Sequence, residues 1–421
     1  MNRNKIQQLH YFKLIIISLI ISILAAFLAY SLKIITEICQ EHLFQFTENN
    51  NHLLFIVLPT IGITCIYFLR KYLFKNRKNK GIAEIYKTVT QRKDHLPFFK
   101  IPSHYINGFL TVIFGGSTGI EVSTVVATAT IGNSFYERNF STNLYKLELV
   151  CAGVCAGISI LFGSPLVGWL FAMEVIARKI NKTLIISCTT AALCSCGILY
   201  YFPVHPIIST PIGDWNWIAI PFMLVLSLIS GLLSAYFTLL VIHIKDFFNS
   251  INNNFIRVNS GALLVGSMIL FFPFLYGDSY HSLNEIFKNP NHFSILLLLV
   301  LAVLKPLASS LTLGSGGDGG VFAPSIVAGA YLGVAFAMIC NTWMGTELIV
   351  LNFALIGAAA TLSTSIYAPL TTVFLICNLV PNGFNLAFPI LLASYVAKLF
   401  TQKFVLPYNV YNYFTEPTST K

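Results

Sequence analysis

Gly115-Gly-Ser-Thr-Gly-Ile-Glu-Val-Ser-Thr124 and Gly314-Ser-Gly-Gly-Asp-Gly-Gly-Val-Phe-Ala-Pro-Ser325 decide how this chain is read. Each is a glycine run that leads directly into an apolar segment. Glycine lets backbone N–H groups turn into a cavity. A helix that follows opens with unpaired N–H groups and a partial positive charge. Pro324 suits the first turn of such a helix, where no N–H is needed. Either run alone would pass for an ordinary loop. Neither ends in the G-K-[ST] of a nucleotide-binding loop, which argues against a phosphate cradle.

The two runs stand at repeat-related positions. Gly119-Ile-Glu-Val-Ser-Thr-Val-Val-Ala127 aligns with Gly320-Val-Phe-Ala-Pro-Ser-Ile-Val-Ala328 at an offset of 201 (320 − 119), which also sets Gly132 on Gly333. Further on, Gly153 meets Gly357 and Pro165 meets Pro369 at an offset of 204 (357 − 153). Two blocks in the same order at nearly the same offset indicate a duplication. Small-residue packing between membrane helices also enriches Gly and Ala, and is the simpler competing explanation. A repeat of this kind in a membrane protein points to inverted halves, with discontinuous helices and a binding site near the midplane.

Composition places the chain in a bilayer. Of 421 residues, 56% are hydrophobic and 10% charged, against about 25% charged in soluble domains. Apolar segments of spanning length lie near 14–36, 53–70, 145–163, 183–202, 217–243, 258–276, 293–313 and 386–402. Shorter or interrupted ones lie at 105–119, 121–135, 164–177, 324–340, 350–363 and 366–380. The segment at 14–36 is too long for a signal peptide and is read as the first membrane helix.

The net charge of +10 does not indicate nucleic acid. Its basic residues gather between the apolar segments: Arg3, Lys5 and Lys13; Arg70, Lys71, Lys75, Arg77, Lys78 and Lys80; Arg178, Lys179 and Lys182. The positive-inside rule produces this pattern and puts the N-terminus and the basic 70–80 loop on the cytoplasmic side. The nine cysteines lack zinc spacing and are read as packing residues, with no metal or cofactor expected.

Paired helix N-termini inside a membrane suit an anion. Dipoles and N–H groups hold it weakly enough to release it. Glu121 begins the first such helix, and an ionisable residue there marks function by default. The helix N-terminus favours its charged form, while desolvation and a nearby anion favour the neutral one. Such a carboxylate can occupy an anion site and leave it on protonation. A plain helix-terminal charge is the competing reading.

These residues resemble the CLC family of chloride channels and chloride/proton exchangers, over about 14–405. The family's G-S-G-I-P motif corresponds to Asn79-Lys80-Gly81-Ile82-Ala83, and its G-R-E-G-P motif to Gly119-Ile120-Glu121-Val122-Ser123. Its G-x-F-x-P motif is intact as Gly320-Val321-Phe322-Ala323-Pro324. Its A-P-L turn recurs as Ala368-Pro369-Leu370, and as Ser164-Pro165-Leu166.

The resemblance implies an all-α polytopic fold of two inverted repeats, here a single membrane domain over 1–421. The halves are expected near 14–202 and 217–405, with a short cytoplasmic tail at 406–421. It implies a homodimer meeting through roughly 164–200 and 366–402, with no enzymatic role. It implies chloride contact by Lys80, Gly81, Ile82, Gly119, Ile120, Glu121, Val122, Gly320, Val321, Phe322, Ala323 and Phe384, with Glu121 as gate.

Departures from the family pattern bear on proton coupling. The second glutamate of exchangers aligns with Val175, next to Glu174. Lys80 replaces the inner serine. The C-terminal coordinating tyrosine aligns best with Phe384, when Pro389 is set on the family proline. Lys305 and its repeat mate His104 stand where a buried network or a local potential is expected, and Asp318 at a pathway mouth or a helix cap. Passive or gated chloride flow, with Glu121 as the gate, is the leading expectation. A chloride/proton exchanger using Glu174 is the alternative, and a fluoride exporter or an intramembrane enzyme the weaker ones.

Overall fold

The computed structural model describes residues 3–75, 77, 79, 81–91, 96–138, 145–204 and 206–413. In chain order the first helices are α1 (Arg3–Asn50), α2 (Leu54–Phe68), α3 (Ile82–Gln91), α4 (Lys100–Ile113), α5 (Glu121–Glu137), α6 (Lys146–Leu161), α7 (Pro165–Phe171) and α8 (Lys182–Tyr201). Then come α9 (Ile220–Ser250), α10 (Asn254–Phe271), α11 (Tyr280–Lys288), α12 (Ile295–Ser315), α13 (Phe322–Met344), α14 (Val350–Ile366), α15 (Pro369–Asn378), α16 (Ala387–Phe400) and α17 (Val410–Tyr413). The two runs of eight match rank by rank, with the short helices third (α3, α11) and seventh (α7, α15). The expected duplication is thus present as an all-α, two-repeat architecture.

Eight helices among the described residues are long and apolar enough to cross a membrane. Two of them differ from the sequence expectation, and the segment expected to span at 145–163 is the 16-residue α6 and is not among the eight. The span expected at 14–36 is part of the 48-residue α1, about 72 Å long at 1.5 Å per residue. No glycine or proline occurs between Arg3 and Asn50 to end it. The segment expected to be interrupted at 324–340 is the continuous 23-residue α13. Its glycines serve packing instead of breaking the helix.

Contacts divide the chain into two compact units. One comprises Met1–Ile35, Asn79–Ile106 and Glu121–His205; the other comprises Thr36–Lys78, Asn107–Ile120 and Pro206–Lys421.

In the first unit α5 packs along α6, and α6 also meets α7 and α8. The α5–α6 crossing is set by glycine. A Cβ at Gly132 would collide with the Leu149 carbonyl, and one at Gly153 with the Thr128 carbonyl. Helix α6 is buried along its whole length, as expected of a helix apolar on every side. The thiols of Cys151 and Cys155 lie against the carbonyls of Ala172 and Cys188 at 3.7 and 3.4 Å, a packing role.

In the second unit α13 packs along α14, and α14 meets α15 and α16. A Cβ at Gly333 would collide with the Phe353 carbonyl, and one at Gly357 with the Gly329 carbonyl. Leu149 and Phe353 are repeat mates, as are Thr128 and Gly329. The same crossing is therefore built twice from the same small residues. Close backbone approach of this kind holds helices together where lipid offers no hydrophobic drive.

Candidate anion site

The two glycine runs come together within the second unit. Gly119 and Gly320 form an antiparallel β-bridge. Thr118 closes it from the side: its Oγ1 donates to Gly320 O at 2.8 Å and accepts from Gly320 N–H at 2.9 Å. A Cβ at Gly319 would run into Thr118. Glycine at 319 and threonine at 118 are thus complementary.

The bonds around the bridge are reciprocal. Ser117 N–H donates to Thr312 Oγ1 at 3.1 Å, and Asp318 N–H donates to Thr111 Oγ1 at 2.9 Å. Gly116 N–H donates to Thr111 O, and Gly317 N–H to Thr312 O, at 2.8 and 2.9 Å. Thr111 and Thr312 are repeat mates, as are Ser117 and Asp318. Exchanging the mates returns the same pattern, which is what a two-fold axis through the bridge requires. Antiparallel pairing of equivalent segments is the local form of an inverted repeat.

A buried ammonium braces this loop pair. Lys305, fully buried on α12, donates to Ser279 Oγ at 2.7 Å, Gly277 O at 2.8 Å and Ser117 Oγ at 2.9 Å, and reaches Leu275 O at 3.5 Å. A charge this deep persists only when hydrogen-bonded throughout. It also places a full positive charge behind Ser117. Tyr276 supports the loop from below, its hydroxyl donating to Ile113 O. Gly115 has φ +84°, and a Cβ there would lie 2.7 Å from the Tyr276 ring.

Beyond the bridge each run enters its helix. Val321, Phe322 and Ala323 are at most 1% exposed and open the 23-residue α13. In the first unit Glu121 is the first residue of α5 and is 3% exposed. Its neighbour Val122 touches the start of α3, where Gly81 has φ +62° and a Cβ would sit 3.3 Å from Val122 Cγ1. Ile82 is buried beside it. Glu84 in the same turn is held by Lys100 at 2.9 Å, and Lys100 also donates to Asn79 Oδ1 at 3.0 Å.

Other expected residues are distributed differently. Lys80 lies outside the described residues. Glu174 is half-buried in a π-helical turn, Ala172–Ala177, and Val175 is buried beside it. His104 is fully buried. Asp318 is buried, with its backbone held by Thr111 as described.

Phe384 is 52% exposed, and its ring packs on Phe374. Tyr411 lies beside the start of α13: it is 7% exposed, with its ring 6.3 Å from that of Phe322. The stretch expected to be a tail therefore packs into the second unit as far as Tyr413, with Leu406, Asn409 and Val410 also buried. Tyr367 hydroxyl donates to Leu406 O at 3.0 Å. A signal for this lay in the sequence. Asn409 Oδ1 accepts from Asn412 N–H at 2.8 Å, the bond of an N-cap asparagine.

Solved structures share this fold. One described as a CLC-type fluoride/proton antiporter has a TM-score of 0.79 and 22% identity, covering 98% of each chain. A slow cyanobacterial Cl⁻/H⁺ antiporter has a TM-score of 0.80 and 19% identity, covering 97% of this chain and 98% of its own. A eukaryotic CLC transporter has a TM-score of 0.79 and 18% identity, covering 96% of this chain and 74% of its own. The family model for the voltage gated chloride channel matches residues 61–402, most of the chain, and with the repeat and its bridged glycine runs in place the chain belongs to that anion-transporting membrane family.

Proposed function

We propose that the protein passes chloride across a bacterial inner membrane, with both termini cytoplasmic and Glu121 as the gate. The observation that carries this reading is the Gly119–Gly320 bridge, two residues ahead of the helices that open with Glu121 and Phe322. It fixes the backbone just before each helix, where the dipole is positive. In the second unit the N–H groups of Val321, Phe322 and Ala323 are the anion's backbone donors. Tyr411, in place of Phe384, supplies a hydroxyl beside Phe322. Gly81 and Ile82 act at the inner mouth, together with Lys80.

The flux is uncoupled from protons. Val175 cannot titrate, and its carbonyl already accepts from the Tyr86 hydroxyl at 2.7 Å. A coupled reading draws on Glu174, half-buried next to Val175, and on the proton-antiporter descriptions of two structurally similar proteins. The unit of assembly is a homodimer. Leu193 at 69% and Ile185 at 39% exposed on α8, with Leu370 at 40% on α15, supply apolar surface for it. Liposomes loaded with chloride test the reading. Chloride efflux without change of lumenal pH supports it, and proton movement in fixed ratio to chloride replaces it with the exchanger. Fluoride flux with chloride excluded points to the fluoride branch, and no halide flux at all removes the function.

A further inference from the structure

The π-helical turn Ala172–Ala177 ends on Arg178, whose φ of +53° is left-handed. That conformation is uncommon for a residue with a side chain and costs about 1–2 kcal/mol. The turn is closed by Arg178 N–H donating to Met173 O at 2.9 Å. The arginine side chain lies over Tyr86, with Cζ 4.3 Å from the ring centroid. Its Nη2 donates to the Tyr86 hydroxyl at 2.9 Å, and that hydroxyl donates to Val175 O at 2.7 Å. Tyr86 is 8% exposed. It is thus gripped on its face by a cation and at its tip by two bonds, one from the strained residue and one to the turn it ends.

Tyr86 lies on α3 four residues after Ile82, one helical turn or about 6 Å along the axis. The start of α3 rests on Val122, next to Glu121, through Gly81. Nearby, Glu84 is paired with Lys100, and Glu174 lies on the π turn itself. Arg178 is therefore connected, through Tyr86 and one turn of α3, to the inner anion contacts, and the whole chain of contacts lies in the first unit.

We propose that Arg178 and Tyr86 are positioning residues that hold the start of α3 against the first turn of α5 and so set the affinity of the inner chloride site. Neither touches the anion. The inference rests on the chloride reading of the site. It also gives Arg178 a reason to hold its left-handed backbone: a glycine would hold the same turn with less strain, but would leave Tyr86 ungripped.

The test combines flux with backbone exchange on the purified full chain. Arg178→Gly keeps the turn and removes the grip. Tyr86→Phe keeps the stacked ring and removes the bridge between Arg178 and Val175. Each is expected to raise half-saturating chloride by about fivefold, the order of one charge-assisted hydrogen bond partly screened by solvent. Maximal flux should change less than about twofold, and the double variant should match the single ones because the two residues act as one unit. Arg178→Lys should recover less than half of the loss, since an ammonium lacks the planar fork that both stacks and bonds. Full rescue by lysine means that charge alone acts, and overturns positioning. Additive effects, or half-saturation equal to wild type, also overturn it.

Hydrogen–deuterium exchange over 82–91 gives a readout without transport. Faster exchange in Arg178→Gly and Tyr86→Phe supports the grip, and unchanged protection overturns it. If wild-type protein moves no chloride, the functional reading fails while the exchange result still decides the grip.

Discussion

Helix pairs α5–α6 and α13–α14 are the same construction with different first residues. Both cross where glycine lets one backbone touch the other: Gly132 on Leu149 and Gly153 on Thr128 in one, Gly333 on Phe353 and Gly357 on Gly329 in the other. Yet the first pair opens on Glu121 and the second on Phe322. The loops before them differ in the same way, with Ser117 and Thr118 opposite Asp318 and Gly319. Backbone contact sets the fold and is kept in duplicate. Chemistry resides where the mates differ, because only there can one repeat do what the other does not.

The largest expected effect breaks the shared part. Gly132→Val and Gly333→Val each force a side chain onto a backbone carbonyl and should cost about 3 kcal/mol or more. Thermal unfolding in detergent should show losses equal to within about 1 kcal/mol, as the crossings are equivalent. A large loss at one glycine only would mean that the two crossings do not carry equal weight.

Lys305→Met comes next, because it strips the donor from Ser117, Ser279 and Gly277 together. It should cost about 3 kcal/mol and lower chloride flux. A variant that melts like wild type would show that the ammonium does not brace the loop. Thr118→Val keeps the shape but loses both bonds to Gly320, for about 1–2 kcal/mol. The matching bonds of Ser117 and Asp318 to Thr312 and Thr111 should keep the bridge formed. The smallest effect separates two aromatic residues. Tyr411→Phe should weaken chloride binding by about fivefold, the worth of one hydroxyl hydrogen bond, while Phe384→Tyr leaves it unchanged. Calorimetric titration of chloride measures both, and the reverse result would restore Phe384.

Much of this was legible in the sequence, for a physical reason. Gly132 and Gly333 announce themselves because nothing larger fits, and with Gly119 and Gly320 they mark the repeat in the sequence. Glu121 stood out because a charge in an apolar run is costly. Tyr411 did not, since 406–413 is too short and polar to register as a membrane segment, and its place depends on tertiary packing. The Thr111–Thr312 exchange was hidden for a related reason. Each threonine reads as an ordinary helix residue until the partner loop arrives.

Glu121, the residue its repeat mate Phe322 cannot imitate, is the proposed chloride gate. Chloride efflux from liposomes, recorded with lumenal pH for wild type and Glu121→Gln at several external pH values, tests it most directly. The account predicts faster chloride efflux in the variant, no dependence on pH, and no proton movement in either protein. Equal efflux with the same pH response in both proteins would contradict it.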